Sequence, residues 1–231
     1  MTATFRPEDH AWMAQALRLA AQGLFTTTPN PRVGCVLVRD GQLVGSGWHR
    51  RAGEPHAEVH ALAEAGAQAA GATAYVTLEP CSHHGRTPPC ADALIAAGVS
   101  RVVAAMTDPN PLVAGRGLAR LAAAGVIAEH GLLAAEAAEL NKGFIQRMTQ
   151  QRPWVTVKLG ASLDGKSALS DGRSQWITGP AARADVQRLR ARSCAVLTGA
   201  GTVMADNPRL TVRDFAVERQ PRSEERRVGK E

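Results

Sequence analysis

Apolar residues recur at helical spacing over 8–22, where Trp12, Met13, Ala16, Leu17 and Ala20 share one face. Pro29 and Pro31 bar a helix from the run Thr26-Thr27-Thr28-Pro29-Asn30-Pro31, which is predicted as a loop. Residues 33–38 form a short apolar run of strand length. Asp40-Gly41 then turns the chain into a second strand over 42–47, completing a hairpin. Beyond the hairpin the pattern alternates. A helix is predicted over 57–69, a strand over 74–78, a short helix over 91–97 closed by Gly98, and a strand over 101–106. A helix over 115–124 closed by Gly125, a strand over 126–129 and a helix over about 134–147 follow. This order predicts an α/β sandwich with helices on both faces of one sheet.

Around residues 148–153 the chain turns polar, and a domain boundary is placed there, giving a first domain over 1–150. A new strand is predicted over 154–159, followed by a turn at Asp164-Gly165. Pro180 suits the first position of a helix over 180–192. A strand over 195–198 and a Gly-rich loop, Gly199-Ala200-Gly201-Thr202, come next. From about Pro221 no apolar period remains, so 221–231 reads as a disordered or non-native tail. The 151–220 segment is short for an independent α/β domain, and the expectation is a partial one behind an early stop.

Charge alters this picture in one respect. The 231 residues carry a net +6, but residues 1–150 hold 12 basic and 12 acidic side chains, and 151–231 hold the other 15 and 9. The first domain is therefore neutral. Aromatics are only 4%, which argues against nucleic-acid binding on stacking platforms. No apolar run approaches the about 20 residues of a membrane span, and the amino terminus lacks a signal-peptide pattern. Four cysteines in such a chain suit a reducing, cytoplasmic compartment.

The strongest chemical signal is His56-Ala57-Glu58, followed by Pro80-Cys81 and Cys90. One imidazole and two thiolates make a three-ligand zinc site with a fourth position open to water. In zinc deaminases with an H-x-E segment, the Glu is not a ligand but moves protons. Glu58 holds that position. Both ligand segments fall near predicted helix N-termini, which favour thiolates. The competing interpretation is a closed structural site completed by His83 or His84, in a non-enzymatic zinc module. Such a site has no use for a carboxylate beside its first ligand. Cys35 and Cys194 read as core cysteines, and His10, His60 and His130 as surface or packing residues. Eight residues separate Cys81 from Cys90, longer than the P-C-x-x-C of cytidine and tRNA deaminases. The intervening loop, with Arg86 and two histidines, suggests a small phosphorylated substrate.

The segments Gly53-Glu54-Pro55-His56-Ala57-Glu58-Val59-His60-Ala61 and 75–90, the latter running from Tyr75-Val76-Thr77-Leu78-Glu79-Pro80-Cys81 to Pro89-Cys90, closely resemble the bifunctional riboflavin-biosynthesis deaminase/reductase family. So do Asp108-Pro109-Asn110-Pro111 with the residues to Gly117, Lys158-Leu159-Gly160 with the residues to Lys166, and Ser174-Gln175-Trp176. The resemblance covers about residues 8–217. It implies a cytidine-deaminase-like three-layer α/β/α domain followed by a partial dihydrofolate-reductase-like α/β domain. The first domain would hydrolytically deaminate 2,5-diamino-6-ribosylamino-4(3H)-pyrimidinone 5′-phosphate to the aminouracil. The second would reduce the ribosyl group with NADPH.

By the same resemblance, His56, Cys81 and Cys90 are zinc ligands and Glu58 is the proton shuttle. Asn30, His49, His83, Arg86, Asp108 and Asn110 contact the pyrimidine substrate, with Arg86 on its phosphate. Gly160, Trp176, Thr202 and Asp206 contact NADP, and Ser174, Arg190, Leu210 and Arg213 the reductase substrate. The bland alternative for Asn30, Asp108 and Asn110 is turn chemistry. For Arg183, Arg188, Arg190 and Arg192 it is a solvated helix face, expected of three of the four. The family's reductase domain continues through further segments that hold the cofactor phosphates, so reductase activity is expected to be incomplete here. The resemblance also implies a homo-oligomer, a small-molecule partner, and no membrane or nucleic-acid partner. The rival function is cytidine or tRNA adenosine deamination.

Overall fold

The structure, a computed structural model, describes residues 4–83, 88–111 and 113–223. The chain divides into two compact units, Met1–Trp154 and Val155–Glu231.

The first unit opens with helix α1 (Pro7–Ala21), whose Pro7 sits in the first turn, where a missing amide costs nothing. The hairpin follows as β1 (Gly34–Arg39) and β2 (Gln42–Trp48), turned at Asp40 and Gly41, both with positive φ. Then come α2 (Ala57–Ala65), a 3-10 turn at Gly66–Ala69, β3 (Thr73–Val76), α3 (Cys90–Ala96), β4 (Arg101–Ala104), α4 (Arg116–Ala123), β5 (Ile127–His130) and α5 (Ala134–Gln150). The five strands form one sheet in the order β2-β1-β3-β4-β5. β1 runs antiparallel to β2 and β3, whereas β3, β4 and β5 are parallel.

The alternation of side chains along the strands divides the core in two. Cys35 and Leu37 of β1, Ala74 and Val76 of β3, and Val102 and Ala104 of β4 pack with Ala61, Leu94 and Leu121 from α2, α3 and α4. Val36, Val38, Tyr75 and Val103 face the other way, onto Met13 and Ala16 of α1 and Ala137 of α5. This is the expected three-layer sandwich, and Cys35 is a core cysteine as expected.

Close approach of α2 to β2 requires glycine. A Cβ on Gly47 would lie 2.4 Å from the Ala57 carbonyl oxygen, and one on Gly45 2.2 Å from that of Ala61. The helix therefore lies directly on the strand that leads into His49.

In the second unit, α6 (Pro180–Arg192) begins at Pro180 as predicted. A two-residue strand β6 (Ala195–Val196) pairs in parallel with β7 (Arg222–Ser223). Four expectations need correction here. The predicted strand over 154–159 joins no sheet among the described residues, and Val155, Val157 and Leu159 are 73%, 83% and 78% exposed. The segment Gly199–Thr202 is not a loop: Gly199 caps α7 (Ala200–Asp206), which starts at Ala200. Cys194 is exposed rather than part of a core. The start of the expected tail is ordered, since the Arg222 amide donates to the Cys194 carbonyl at 2.9 Å. Residues 224–231 lie outside the described residues. No helix among the described residues is long and apolar enough to cross a membrane.

Candidate active site

Two helix starts and one loop build the site. His56 occupies the N-cap position of α2, with extended backbone at φ −74° and ψ 166°, which sends its ring off the helix end. Glu58 follows in the first turn of α2 and is 3% exposed. Cys81 lies in the loop after β3, and Cys90 is the first residue of α3. The Cys81 carbonyl accepts the Ala91 amide at 3.1 Å, and the Cys90 amide donates to Cys81 Sγ at 3.3 Å. These bonds bring the two ends of the eight-residue loop together.

His56 Nδ1 lies 3.3 Å from Cys90 Sγ and 3.6 Å from Cys81 Sγ. One ligand atom from each of the three residues lies within 4.8 Å of the others. A tetrahedral zinc with Zn–S near 2.3 Å and Zn–N near 2.0 Å has an N···S edge of about 3.5 Å. The spacing and the donor set fit that ion. Hydrogen bonding with Cys90 and His56 and the Cys90 amide push the Cys81 thiol down despite its burial, and the same contact pushes the Cys90 thiol up. A thiolate is the form a metal ligand requires.

Oε2 of Glu58 is buried with no hydrogen-bond partner among the described residues. Burial raises the Glu58 carboxyl, and the neighbouring His56 opposes that shift. A buried carboxyl atom left unsatisfied is costly and marks a place where another polar group is expected.

His49 follows β2, and its amide donates to the Val33 carbonyl. Its ring meets that of His56 edge-on, with centroids 5.4 Å apart. Nδ1 lies 3.1 Å from the Pro55 carbonyl, which can only accept, so Nδ1 carries the proton. Burial lowers the His49 pKa, which favours the neutral ring, against the opposing pull of the Pro55 carbonyl. Nε2 is then an acceptor, and Asn30 Nδ2 donates to it at 3.1 Å. That bond fixes the amide orientation and leaves Asn30 Oδ1 to face other groups. Asp108 is half-buried, and its Oδ1 accepts the Asn110 amide at 2.8 Å. Burial raises the Asp108 carboxyl, with His83 and Cys81 among the charges that act on it. His83 is exposed and, with Ser82, Val113 and Arg116, lines a cleft of about 590 Å³. Arg86 lies outside the described residues. His10 and His130 are exposed, and His60 is half-buried.

The structure thus brings Asn30, His49, His56, Glu58, Cys81, Cys90 and Asp108 into one constellation. The candidate residues of the second unit are largely exposed. Ser174, Thr202, Asp206 and Arg213 are on the surface, and Trp176 is 69% exposed. Gly160 and Leu210 are half-buried. Arg190 Nη1 donates to the carbonyls of Arg209 and Thr211, and Arg213 Nη1 to that of Arg209 at 2.7 Å. The solvated-face expectation fails for more than one arginine of α6. Arg183 stacks 4.4 Å over Trp176 and donates to the Thr178 carbonyl.

Two supports of the site carry no motif of their own. Asn141, buried at a kink in α5, accepts the Arg32 amide at 2.8 Å and donates to the Arg32 carbonyl at 2.9 Å. It clamps the chain just beyond Asn30. Glu79 is a second buried carboxylate, two residues before Cys81. An acid directly after the buried segment Val76-Thr77-Leu78 and before a proline-cysteine pair is the signal that could have singled it out.

Comparison with known proteins adds to this geometry. The model of the cytidine and deoxycytidylate deaminase zinc-binding region matches residues 6–106, and that of the RibD C-terminal domain matches 153–228. The riboflavin biosynthesis protein RibD of Escherichia coli K12 is 66% identical over 206 residues, which are 89% of this chain and 56% of that protein. Its counterpart in Haemophilus influenzae is 58% identical over 209 residues, again covering 56% of that protein. The structure of Acinetobacter baumannii RibD aligns with a TM-score of 0.89 at 55% identity, covering 94% of this chain and 62% of that one. A Thermotoga maritima diaminohydroxyphosphoribosylaminopyrimidine deaminase/5-amino-6-(5-phosphoribosylamino)uracil reductase aligns at 0.88 and 42% identity, with the same coverage. The chain spans somewhat more than half the length of these curated relatives.

Proposed function

We propose that the chain is a RibD protein over the part it shares with those relatives, and that its first unit is the zinc-dependent pyrimidine deaminase of riboflavin biosynthesis. The substrate assigned is 2,5-diamino-6-ribosylamino-4(3H)-pyrimidinone 5′-phosphate, and the product is the corresponding 5-amino-6-ribosylaminouracil phosphate. The observation that carries this reading is the pairing of a tetrahedrally spaced His56, Cys81 and Cys90 with the buried carboxylate of Glu58, whose Oε2 has no hydrogen-bond partner among the described residues.

A zinc ion, which His56, Cys81 and Cys90 would hold, would supply a Lewis acid able to activate water near neutral pH. Glu58 takes the proton from the attacking water and delivers it to the ring nitrogen beside the reacting carbon. It then takes the second proton from the new hydroxyl on that carbon and passes it to the departing amine, so that the C–N bond breaks, the carbonyl forms and ammonia leaves. Its burial suits this work, since a carboxyl with a raised pKa can hold a proton between the two transfers. Asn30, oriented by His49, offers Oδ1 to the ring or ribose. His83, Asp108 and Asn110 line the same side, and Arg86 is assigned the phosphate. The neutral, aromatic-poor first 150 residues favour this small substrate over tRNA.

The second unit is assigned to the NADPH-dependent ribosyl reduction. Gly160, Trp176, Thr202 and Asp206 are placed on the cofactor, and Ser174, Arg190, Leu210 and Arg213 on the phosphorylated substrate. Cytoplasmic residence suits thiolate ligands that must stay reduced.

The test is Glu58→Gln in the zinc-loaded chain, assayed for ammonia release from the phosphorylated diaminopyrimidine, with cytidine as the comparison substrate. Zinc content should stay at one per chain while turnover falls by about 10⁴ or more, the upper range for losing a positioned acid–base group. Turnover near that of the wild type would remove Glu58 from the mechanism. Preference for cytidine would replace the substrate assignment.

A further inference from the structure

Glu79 lies between β3 and Cys81, is 5% exposed, and has no part in the proton transfers described above. Its carboxylate is surrounded by backbone amides. Oε2 accepts from Asp108 and Gly115, both at 2.9 Å, and Oε1 accepts from Gly117 at 2.8 Å and Leu118 at 3.3 Å. Gly117 and Leu118 stand in the first turn of α4, where amides have no acceptor within the helix. The N-cap residue there is Gly115, which has no side chain to supply one. A carboxylate from another loop thus caps α4.

The junction is tight on its other side as well. A Cβ on Gly117 would lie 1.9 Å from the Pro80 carbonyl oxygen, so α4 abuts the peptide between Glu79 and Cys81. The Glu79 amide donates to the Met106 carbonyl at 2.9 Å, at the start of the loop that carries Asp108. One side chain therefore joins the segment of a metal ligand to the loop of two proposed substrate contacts.

We propose that Glu79 is a positioning residue that holds the Cys81 segment and the 108–117 loop in fixed register, and so governs both metal retention and substrate affinity. The substrate half of this rests on the deaminase reading; the metal half rests on the ligand geometry alone. Gln at this position keeps the size but turns an NH2 group toward two N–H donors, which breaks half of the junction.

The experiment compares wild type and Glu79→Gln as zinc-loaded full chains. Three quantities are read alongside the unfolding midpoint: zinc release to a chromogenic chelator, amide hydrogen exchange, and KM and kcat on the phosphorylated diaminopyrimidine. Exchange should quicken at Asp108, Gly115, Gly117 and Leu118. Zinc release should quicken and KM should rise, each by about tenfold, the lower end for groups that orient metal ligands. The kcat should fall less than KM rises. A lower unfolding midpoint with zinc release and KM unchanged would reduce Glu79 to a helix cap and overturn the proposal. If the variant does not fold, exchange in the wild type decides. Asp108 and Gly115 belong to no helix or strand, so their amides are protected only if Glu79 holds them, and free-coil exchange there refutes the junction. If the wild type proves inactive on the diaminopyrimidine yet Glu79→Gln still speeds zinc release, the deaminase reading falls and the positioning of Cys81 stands.

Discussion

Asp9, Glu58 and Glu79 are buried carboxylates of the first unit, and each is held differently. Asp9 accepts from Tyr75 Oη at 2.6 Å and from Arg101 at 2.7 Å, and Arg101 also reaches Glu129 at 2.7 Å. Burial works against ionisation of Asp9, but the bonds from Arg101, Tyr75 and the Arg6 amide outweigh it and hold the carboxyl well below the usual range. Because the folded value is depressed, this group adds stability above its ordinary value of 3.8 and loses it as the pH falls below that. Asp9→Asn is therefore expected to cost about 2 kcal/mol at pH 7, since Arg101 is left partly unpaired. The gap should narrow as the pH drops from about 5 toward 2. Urea denaturation of both chains across that range measures it, and a gap independent of pH would contradict the assignment. Glu79 meets backbone amides alone, whereas Glu58 keeps one oxygen without a partner beside the metal-ligand group. Of these three carboxylates, the two that support the fold are fully engaged and the one assigned to chemistry keeps an open oxygen.

At the scale of elements, α2 does most to place the site, because its N-terminus carries both His56 and Glu58. Its height above β2 is set by the glycines beneath it. Gly47→Ala would press a methyl against the Ala57 carbonyl at 2.4 Å, and backbone cannot yield as a side-chain tip can. A destabilisation of about 1–3 kcal/mol is expected, with weaker zinc retention, because the lifted helix carries His56 with it. Thermal unfolding with and without a chelator reads both effects, and an unchanged midpoint would show that α2 floats free of the strand. The elements of this unit were legible in the sequence because period and burial agree. β1 alternates Cys35 and Leu37 with Val36 and Val38, and the two sets face two different helix layers. The same logic fails over 154–159. An apolar run becomes a strand only when a neighbour takes its amides and carbonyls, and among the described residues none does. Gly199–Thr202 misled for a related reason: glycine marks loops, but Gly199 here serves as an N-cap.

At the scale of the molecule, the two units differ in burial as well as charge. The first encloses two apolar layers, while the second leaves Leu163, Leu197 and Met204 exposed along with the 155–159 segment. Backbone without ladder bonds opens at little cost and is cut readily. Limited proteolysis is expected to cleave first within 155–179 and to leave a zinc-containing fragment that ends near Trp154. Mass spectrometry of the fragments tests this, and first cuts within 34–130 would reverse the predicted order of stability.

The donor types proposed for the site and the layering of the first unit were readable along the unfolded chain. Ligand types, the carboxylate beside His56, and the two periods of strand and helix are local properties, and local spacing displays them. What stands behind those residues emerges once the chain is folded. Asn141 grips Arg32 from 109 positions away, and Glu79 reaches amides between 29 and 39 positions on. Backbone amides look alike in any sequence, so a carboxylate that bonds to amides does not announce its partners, even where it stands inside a motif. Its role exists once folding has brought the loops to it.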